Sequence, residues 1–369
     1  MIDSIPQLAE LPPDRMSTPE RMRALLTPGA RPDRVAFAPF VTDFSARNCG
    51  MAHADVHRDA QASFLAQVRT QEQFGFDGGP AYGLGAMGAW EFGGDLRFPT
   101  RDSEQAPSVA RYPVVDEDDV DRLRVPEDVL GAGSIPMMLE FSRLQDRERR
   151  MLTVQLGSVF TSAANMVELG TFLRWMIKRP DLAHHLLRLM TDFYVEVARR
   201  WTELFPGRMV TGFDGGPTEA NHLISPKQFR EFALPYAREV HEKALAFGVT
   251  RFHTHACGEQ NANLPSYREI QFGQPDGPPG MMSFGHEVRL RDAIEILGDR
   301  VIIAGNVEPT LLQTAQPETV WEATRDAVLE GKEAPLGYVL VTGCSVPTSA
   351  APYNLFTMVK AAKQFGQYG

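Results

Sequence analysis

Eight short apolar segments alternate with segments of helical periodicity along most of this 369-residue chain. They are residues 34–40, 74–79, 152–157, 209–216, 249–255, 280–285, 300–306 and 337–343. Apolar segments that lack regular polar alternation, and that alternate along the chain with helical segments, indicate parallel strands buried on both faces. Eight such units predict an α/β fold, a (β/α)8 TIM barrel, and a single domain of this length is ordinary for that fold.

The domain organisation follows from the segments outside this repeat. Residues 1–30 are predicted to form an N-terminal arm and a short helix, because Ser17 supplies an N-cap, Pro19 an early proline and Glu20 an acidic first turn. The barrel is predicted over residues 31–369. The widest gap between strands, residues 80–151, is interpreted as an insertion after the second strand that crosses the barrel mouth.

Composition narrows the classes of partner. The net charge is −10 and no stretch is rich in lysine and arginine, which argues against a nucleic-acid partner. No run of apolar residues reaches the length of about 18 that a membrane span needs. The N-terminus lacks the apolar core of a signal peptide, and three cysteines are too few for a disulfide framework, so we expect a cytoplasmic protein. The sequence leaves its oligomeric state open.

The hexapeptide Gly-Phe-Asp-Gly-Gly-Pro occurs twice, at residues 75–80 and 212–217. Each copy ends a predicted strand, which places Asp77 and Asp214 at strand carboxyl ends, the face where barrel enzymes assemble their sites. The alternative is structural: the glycines permit tight turns and the aspartates cap them. The sequence gives the two interpretations equal weight.

The stretch RFHTHACGE, residues 251–259, carries the strongest chemical signal. Side chains two apart in a strand share a face, so His253, His255 and Cys257 are predicted to point the same way. Imidazole and thiolate are ligands that zinc favours, although a buried polar cluster is the alternative for this stretch alone. Cys344 follows the last predicted strand on the same barrel face, whereas Cys49 is interpreted as a small buried residue. A Cys2His set with an open position is typical of catalytic zinc.

Four stretches carry a family resemblance: GFDGGPTEANHLISPKQFREFALPY, FHTHACGE, IEILGDRVIIAGNVEPTLL and GYVLVTGCSVPTSAAPYNLFTMVKAA. In order and spacing they resemble the uroporphyrinogen decarboxylase superfamily, and within it the cobalamin-dependent methyltransferase branch. The resemblance implies a (β/α)8 barrel and a Zn2+ ion held by His255, Cys257 and Cys344. It also implies methyl transfer between a corrinoid cobalt, as methylcobalamin or a corrinoid protein, and a thiol such as coenzyme M or a methylated substrate.

The chain departs from the decarboxylase pattern after the first strand. Decarboxylases carry an Arg-Gln-Ala-Gly-Arg loop there, whereas VTDFSARN contains one arginine, Arg47. A polycarboxylate substrate needs several cations, so porphyrinogen decarboxylation is disfavoured. Two alternatives stay open, a metal-free decarboxylase and a non-catalytic barrel that docks a corrinoid protein.

Further candidates lie in the predicted loops at the barrel mouth. Asp214 and Glu219 are predicted to orient the metal ligands or to supply a displaceable fourth ligand. Asn306 ends the seventh predicted strand and is assigned to substrate contact, with a turn role as the alternative. Asp77, Tyr82 and Trp90 are assigned to the corrinoid, although packing of the insertion also explains the two aromatic residues.

Overall fold

The computed structural model of the protein describes residues 5–100, 104 and 106–369. Its strands are β1 (Ala36–Phe37), β2 (Asp95–Arg97), β3 (Ser108–Arg111), β4 (Leu152–Gln155), β5 (Val210–Gly216), β6 (Arg251–Ala256), β7 (Met281–Phe284), β8 (Ile302–Val307) and β9 (Tyr338–Thr342). Seven of them form one parallel sheet in the order β1-β9-β8-β7-β6-β5-β4. Strands β2 and β3 form a separate antiparallel pair.

Helices connect these strands in an α/β arrangement. They are α1 (Thr18–Leu25), α2 (Thr42–Asn48), α3 (Asp55–Arg58), α4 (Ala60–Phe74), α5 (Glu117–Val120), α6 (Ile135–Arg147), α7 (Val159–Asn165), α8 (Leu169–Lys178), α9 (Pro180–Leu204), α10 (Pro226–Gln228), α11 (Leu234–Phe247), α12 (Leu264–Tyr267), α13 (Leu290–Leu297), α14 (Leu311–Thr314), α15 (Pro317–Gly331) and α16 (Pro352–Phe365). Short 3-10 turns span Leu8–Glu10, Trp90–Phe92 and Val129–Gly131. None of the helices in the described part of the chain has both the length and the apolar character needed to cross a bilayer.

Burial explains why the strand sequences lack alternation. Every residue of β7 and of β9 is buried, since helices cover one face of the sheet and side chains fill the space inside its curve. The inner cluster contains Ala36, Met281 and Ile302, each at or near the beginning of its strand, together with Leu25 of α1. Helix α1 therefore lies against the amino-terminal ends of the strands.

Seven of the eight predicted strands are confirmed, and the second is wrong. Residues 74–79 lie beside β1, where the Asp77 N–H donates to the Phe37 carbonyl (2.6 Å), but they form no strand. Helix α4 runs through Phe74 and ends at Gly75, which adopts φ of +68°. The same Gly-Gly-Pro follows Asp214, where β5 continues through Gly216, so the local sequence does not decide the difference; residues 74–79 instead follow directly on α4. The sheet therefore holds seven strands, with this segment next to β1.

Helix α1 is attached to the sheet by buried ion pairs. Arg21 pairs with Asp33 (2.7 Å) and Asp77 (2.6 Å), and Arg34 pairs with Asp14 (2.7 Å) and Asp77 (2.8 Å). Both arginines are almost completely buried, so each needs these carboxylates to offset its desolvation. The predicted cap at Ser17 is confirmed as a capping box with Glu20.

The helical stretch after β5 is interrupted. Ser225 caps α10 and Pro226 occupies its first turn, as predicted. A π-helical turn over Phe229–Ala233 then separates α10 from α11. Pro235 explains the break, because it has no N–H to donate to the carbonyl one turn earlier and its ring crowds that turn.

Candidate metal centre

Two cysteines meet at the carboxyl ends of β6 and β9. Cys257 follows β6 directly and Cys344 lies two residues after β9, and their Sγ atoms are 3.9 Å apart. A disulfide requires about 2.05 Å, so both thiols are free. Two sulfurs bound to one tetrahedral zinc at about 2.3 Å are separated by about 3.8 Å. The observed spacing therefore matches that of two ligands of one ion.

His255 completes this cluster. Its ligand atom and those of Cys257 and Cys344 all lie within 4.8 Å of one another. Nδ1 is hydrogen bonded to the Ser283 hydroxyl (2.9 Å), whereas Nε2 is buried and has no hydrogen-bond partner in the described structure. An unsatisfied buried nitrogen is costly, and binding a metal would satisfy it. The donor set and its geometry fit zinc.

His253 supports this ring instead of adding a ligand. Its Nε2 lies 3.0 Å from the Ser283 hydroxyl, which therefore contacts both histidines. Burial, together with the nearby Arg251 and His255, lowers the pKa of His253 to about 3, so the ring is neutral. Ser283 has one hydroxyl proton, so it can accept from His255 Nδ1–H while it donates to His253 Nε2, and this arrangement leaves the His255 Nε2 lone pair free for a metal.

A hydrogen bond joins the two thiols. The Cys257 thiol donates to Cys344, and this hydrogen bond lowers the pKa of Cys344 and raises that of Cys257. Contact with His255 lowers the Cys344 pKa further. The cluster therefore favours one thiolate without a cation, and a bound cation would favour the second.

A small enclosed cavity lies beside the cluster. Its lining includes Ser158, Asp214, Glu219, His255 and Tyr267. Burial raises the pKa of the Glu219 carboxyl to about 7, the Asp214 charge adds to this, and the hydrogen bond donated by the Ser158 hydroxyl opposes it. Glu219 is thus a carboxyl group that exchanges protons near neutral pH next to His255.

Asp214 lines this cavity but is held by neighbouring side chains. Thr254 donates to Oδ1 (2.5 Å), and His241 Nε2 lies 3.0 Å from Oδ2. The other ring nitrogen of His241 donates to the Gln271 carbonyl (2.9 Å), because a carbonyl oxygen only accepts. Asp214 therefore connects β5 to β6 and α11.

The side-chain amide of Asn306 bonds backbone carbonyls and does not line this cavity. Its Nδ2 donates to the carbonyls of Gly285 (3.1 Å) and Val288 (2.7 Å), and so holds the loop after β7. The turn role, which the sequence left as an alternative, describes these contacts.

The three residues assigned to the corrinoid are not brought together with the cysteines. Asp77 binds Arg21 of α1 and Arg34, which precedes β1, on the amino-terminal side of the sheet. Tyr82 is 5% exposed and its hydroxyl donates to the His57 carbonyl (2.6 Å). Trp90 packs edge-on against Phe98, with ring centroids 6.0 Å apart. These contacts give Asp77 a structural role and favour the packing interpretation for the two aromatic residues, and corrinoid binding by any of the three stays a prediction.

Sequence reasoning missed three residues at this site: Ser158, His241 and Ser283. Serine 283 pairs with His255 in the β6–β7 register, and this pairing is what brings its hydroxyl to the ring. No spacing in the sequence marks it, because strand register depends on the assembled sheet.

Comparison with known proteins identifies the family. The sequence profile of the family described as uroporphyrinogen decarboxylase (URO-D) matches residues 19–365. This chain belongs to the uroporphyrinogen decarboxylase family. The predicted resemblance is confirmed, and URO-D relatives include both of the enzyme classes that the sequence analysis considered.

Three curated relatives are 24–29% identical to this chain. A methylated-thiol–coenzyme M methyltransferase of Methanosarcina mazei is 25% identical over 65% of this chain and 61% of its own length. The methylcobamide:CoM methyltransferase MtaA of Methanosarcina barkeri is 24% identical, over 74% of this chain and 75% of its own. A uroporphyrinogen decarboxylase of Ovis aries is 29% identical over 56% of each chain. The matches thus span between about half and three quarters of these relatives.

A solved structure shares the fold. A methyltransferase from Methanosarcina mazei superimposes with a TM-score of 0.78 at 20% sequence identity, covering 95% of this chain and 99% of that one. At this identity the likeness shows the arrangement of the chain and not its activity.

Proposed function

We propose that this URO-D protein is a zinc-dependent methyltransferase that moves a methyl group between a corrinoid cobalt and a thiol. The observation that carries this function is the cluster of His255, Cys257 and Cys344, in which a buried imidazole nitrogen without a partner lies beside two thiols 3.9 Å apart. The names of the two methyltransferase relatives support the choice of corrinoid and thiol as substrates.

The three residues would hold the zinc ion and leave one position for the substrate, as in other catalytic zinc sites. A zinc ion held by these ligands would lower the pKa of a thiol that reaches it, so that the sulfur could react as a thiolate near pH 7. Ser283 and His253 keep the His255 ring in the tautomer that offers Nε2. Phe40 packs against His255, with ring centroids 5.5 Å apart, and limits its rotation.

Glu219 is our proposed acceptor for the substrate's proton. Its carboxyl lines the same cavity as His255 and has a pKa of about 7, which suits reversible proton transfer at neutral pH. The thiol proton passes to Glu219, the sulfur forms a bond to the methyl carbon, and the cobalt–carbon bond breaks with its electron pair retained by cobalt. Asp214 is a positioning residue in this scheme, because it fixes His241 and Thr254 around the cavity.

Two finer features belong to the same proposal. We treat the seven-stranded sheet as that of a (β/α)8 barrel in which residues 74–79 take the place of the second strand. A cytoplasmic location is consistent with three cysteines that are all free thiols. A separate corrinoid protein is the expected partner, and its docking would bring the cobalt to the carboxyl ends of β6 and β9.

A metal-free decarboxylase is the second candidate, since the sheep relative at 29% identity is a uroporphyrinogen decarboxylase. It predicts activity without metal and no role for the thiols. The methyltransferase proposal predicts activity that requires both metal and the two thiols. Metal content and methyl transfer therefore distinguish the two candidates.

The test compares purified wild-type protein with Cys257→Ser, Cys344→Ser and Cys49→Ser. Cys49 is a matched control, because its thiol donates to the Ala66 carbonyl and lies outside the cluster. We expect about one zinc per chain and methyl transfer from methylcobalamin to a thiol in wild type and Cys49→Ser, and loss of both in the other two variants. Undiminished transfer in Cys257→Ser and Cys344→Ser would overturn the proposed function.

A further inference from the structure

A second group of metal-ligating side chains lies between α2 and α3. Asp43 belongs to α2, His53 to the following loop and His57 to α3, and all three are buried. The Nε2 atoms of both histidines lie 2.9 Å from the same oxygen, Asp43 Oδ1. One ligand atom of each residue lies within 4.8 Å of the other two. None of these residues contributes to the cysteine cluster.

Asp43 is a buried carboxylate with two histidines beside it. In the described part of the chain its ion-pair partners are the two histidines, and neither a lysine nor an arginine lies within 4.0 Å of its carboxylate. Burying an ionised carboxylate is costly unless a positive charge accompanies it. Burial opposes ionisation of Asp43, whereas the hydrogen bonds and the attraction of the two histidines lower its pKa, so the site offers an ionised carboxylate.

The spacing of the donor atoms suits a divalent ion. Imidazole nitrogens and carboxylate oxygens bind first-row ions at about 2.0–2.2 Å. Neighbouring ligands at right angles around such an ion are therefore about 3.0 Å apart, close to the 2.9 Å between each Nε2 and Asp43 Oδ1. Two imidazoles and one carboxylate form the donor set that binds Fe(II) and related ions with positions left open.

We propose that Asp43, His53 and His57 form a second metal site, which takes a divalent first-row transition ion through two nitrogens and one oxygen. This site differs in chemistry from the cysteine cluster, because it offers no sulfur and favours harder ions. It draws its ligands from α2, α3 and the loop between them, so an ion bound there would hold these elements together.

The Asp43 site lies close in the chain to Phe40, which packs on the cysteine cluster. Asp43 is three residues after Phe40, whose ring packs against His253 (5.7 Å) and His255 (5.5 Å). The Phe40 carbonyl also accepts from the N–H of Val346, two residues beyond Cys344 (2.8 Å). An ion at the Asp43 site thus stabilises the segment that packs on the cysteine cluster, without being a ligand of it.

The test begins with full-length protein that carries Cys257→Ser and Cys344→Ser, stripped of metal and titrated with Co2+. Cobalt reports the donor atoms, since thiolates give intense charge-transfer absorption and nitrogen and oxygen ligands give only weak visible bands. We expect this variant to bind about one equivalent of Co2+ without charge-transfer absorption, whatever the outcome for the cysteine cluster. The absence of stoichiometric binding would overturn the second site.

Two further variants in the same background assign the ion to its ligands. Asp43→Asn keeps the shape of the side chain and removes its charge, and we expect Co2+ affinity to fall at least tenfold; His57→Gln should have a similar effect. His184→Gln is the control, because it also removes one histidine but lies on α9 against Phe232. Binding that Asp43→Asn leaves unchanged would refute the assignment.

A thermal measurement covers the case in which a variant folds poorly. Co2+ or Zn2+ should raise the Tm of the double cysteine variant and of its His184→Gln derivative. A Tm that does not respond to either ion in the double cysteine variant would also overturn the site.

Discussion

The Sγ atoms of Cys257 and Cys344 lie 3.9 Å apart although 87 positions separate the two residues in the chain. Their strands, β6 and β9, are three places apart in the sheet order, so the contact requires the sheet to curve until its carboxyl ends converge. The same curvature brings His255 to the pair and leaves its Nε2 without a partner. The cysteine cluster therefore depends on the curvature of the sheet.

Ser283→Ala is expected to weaken zinc binding about 10- to 100-fold, the usual effect of removing a group that orients a metal-bound histidine. The hydroxyl lies 2.9 Å from His255 Nδ1, and without it the ring loses the bond that selects its tautomer. Competition with a chelator measures the affinity. Ser142→Ala is a matched control, because this buried serine bonds the Thr153 carbonyl and Trp201 instead. Equal zinc affinity in the two variants would contradict the role of Ser283.

Glu219→Gln is expected to change how stability depends on pH. The folded-state pKa of Glu219 is about 7, raised from 4.5, so between these values the native protein binds more protons than the unfolded chain. The contribution of Glu219 to stability is therefore greatest below pH 4.5 and declines as pH rises through 7. The Tm of Glu219→Gln should increase relative to wild type between pH 5 and 8.

An exposed carboxyl provides the control for that measurement. Glu295 lies on the solvent side of α13, and Glu295→Gln should shift Tm equally at about pH 5 and pH 8. If Glu219 accepts the substrate's proton, Glu219→Gln should also slow methyl transfer at neutral pH while zinc content stays at the wild-type level. A Tm difference that does not vary with pH would show that Glu219 titrates normally.

Arg21→Met is expected to destabilise the fold by about 3–5 kcal/mol, because it leaves the buried carboxylates of Asp33 and Asp77 without this partner. Arg111→Met removes an ion pair with Asp95 in which both side chains are 59% exposed, and should cost no more than about 1 kcal/mol. Urea denaturation gives both values. Similar losses in the two variants would mean that the buried network contributes little.

Gly215→Ala is expected to cost about 1–3 kcal/mol and to weaken metal binding. This glycine adopts φ of +143°, and a Cβ atom there would lie 2.3 Å from the His255 carbonyl oxygen. The strand that carries His255 would have to move. Gly79→Ala is the comparison, since no atom lies within 4 Å of its Cβ position and its φ is not in the left-handed region. Wild-type stability in Gly215→Ala would show that β6 moves freely at this point.

The sequence by itself determined the class of fold and the residues that form the cysteine cluster. Seven of the eight predicted strands form, because burial on both faces leaves a local signature in each strand that needs no knowledge of its neighbours. The Cys344 and Cys257 contact was also predictable, since parallel strands place the residues that follow them on one face.

Only the tertiary structure decided which side chains support the site. Asp77 and Asp214 lie in identical hexapeptides, yet Asp77 binds Arg21 and Arg34 while Asp214 contacts Thr254 and His241. The Asp214 hexapeptide continues β5 through Gly216. Residues 74–79 instead follow α4 and contact β1 through the hydrogen bond from the Asp77 N–H to the Phe37 carbonyl. Which partner a polar group meets depends on register and packing across the sheet, and the local sequence does not encode these.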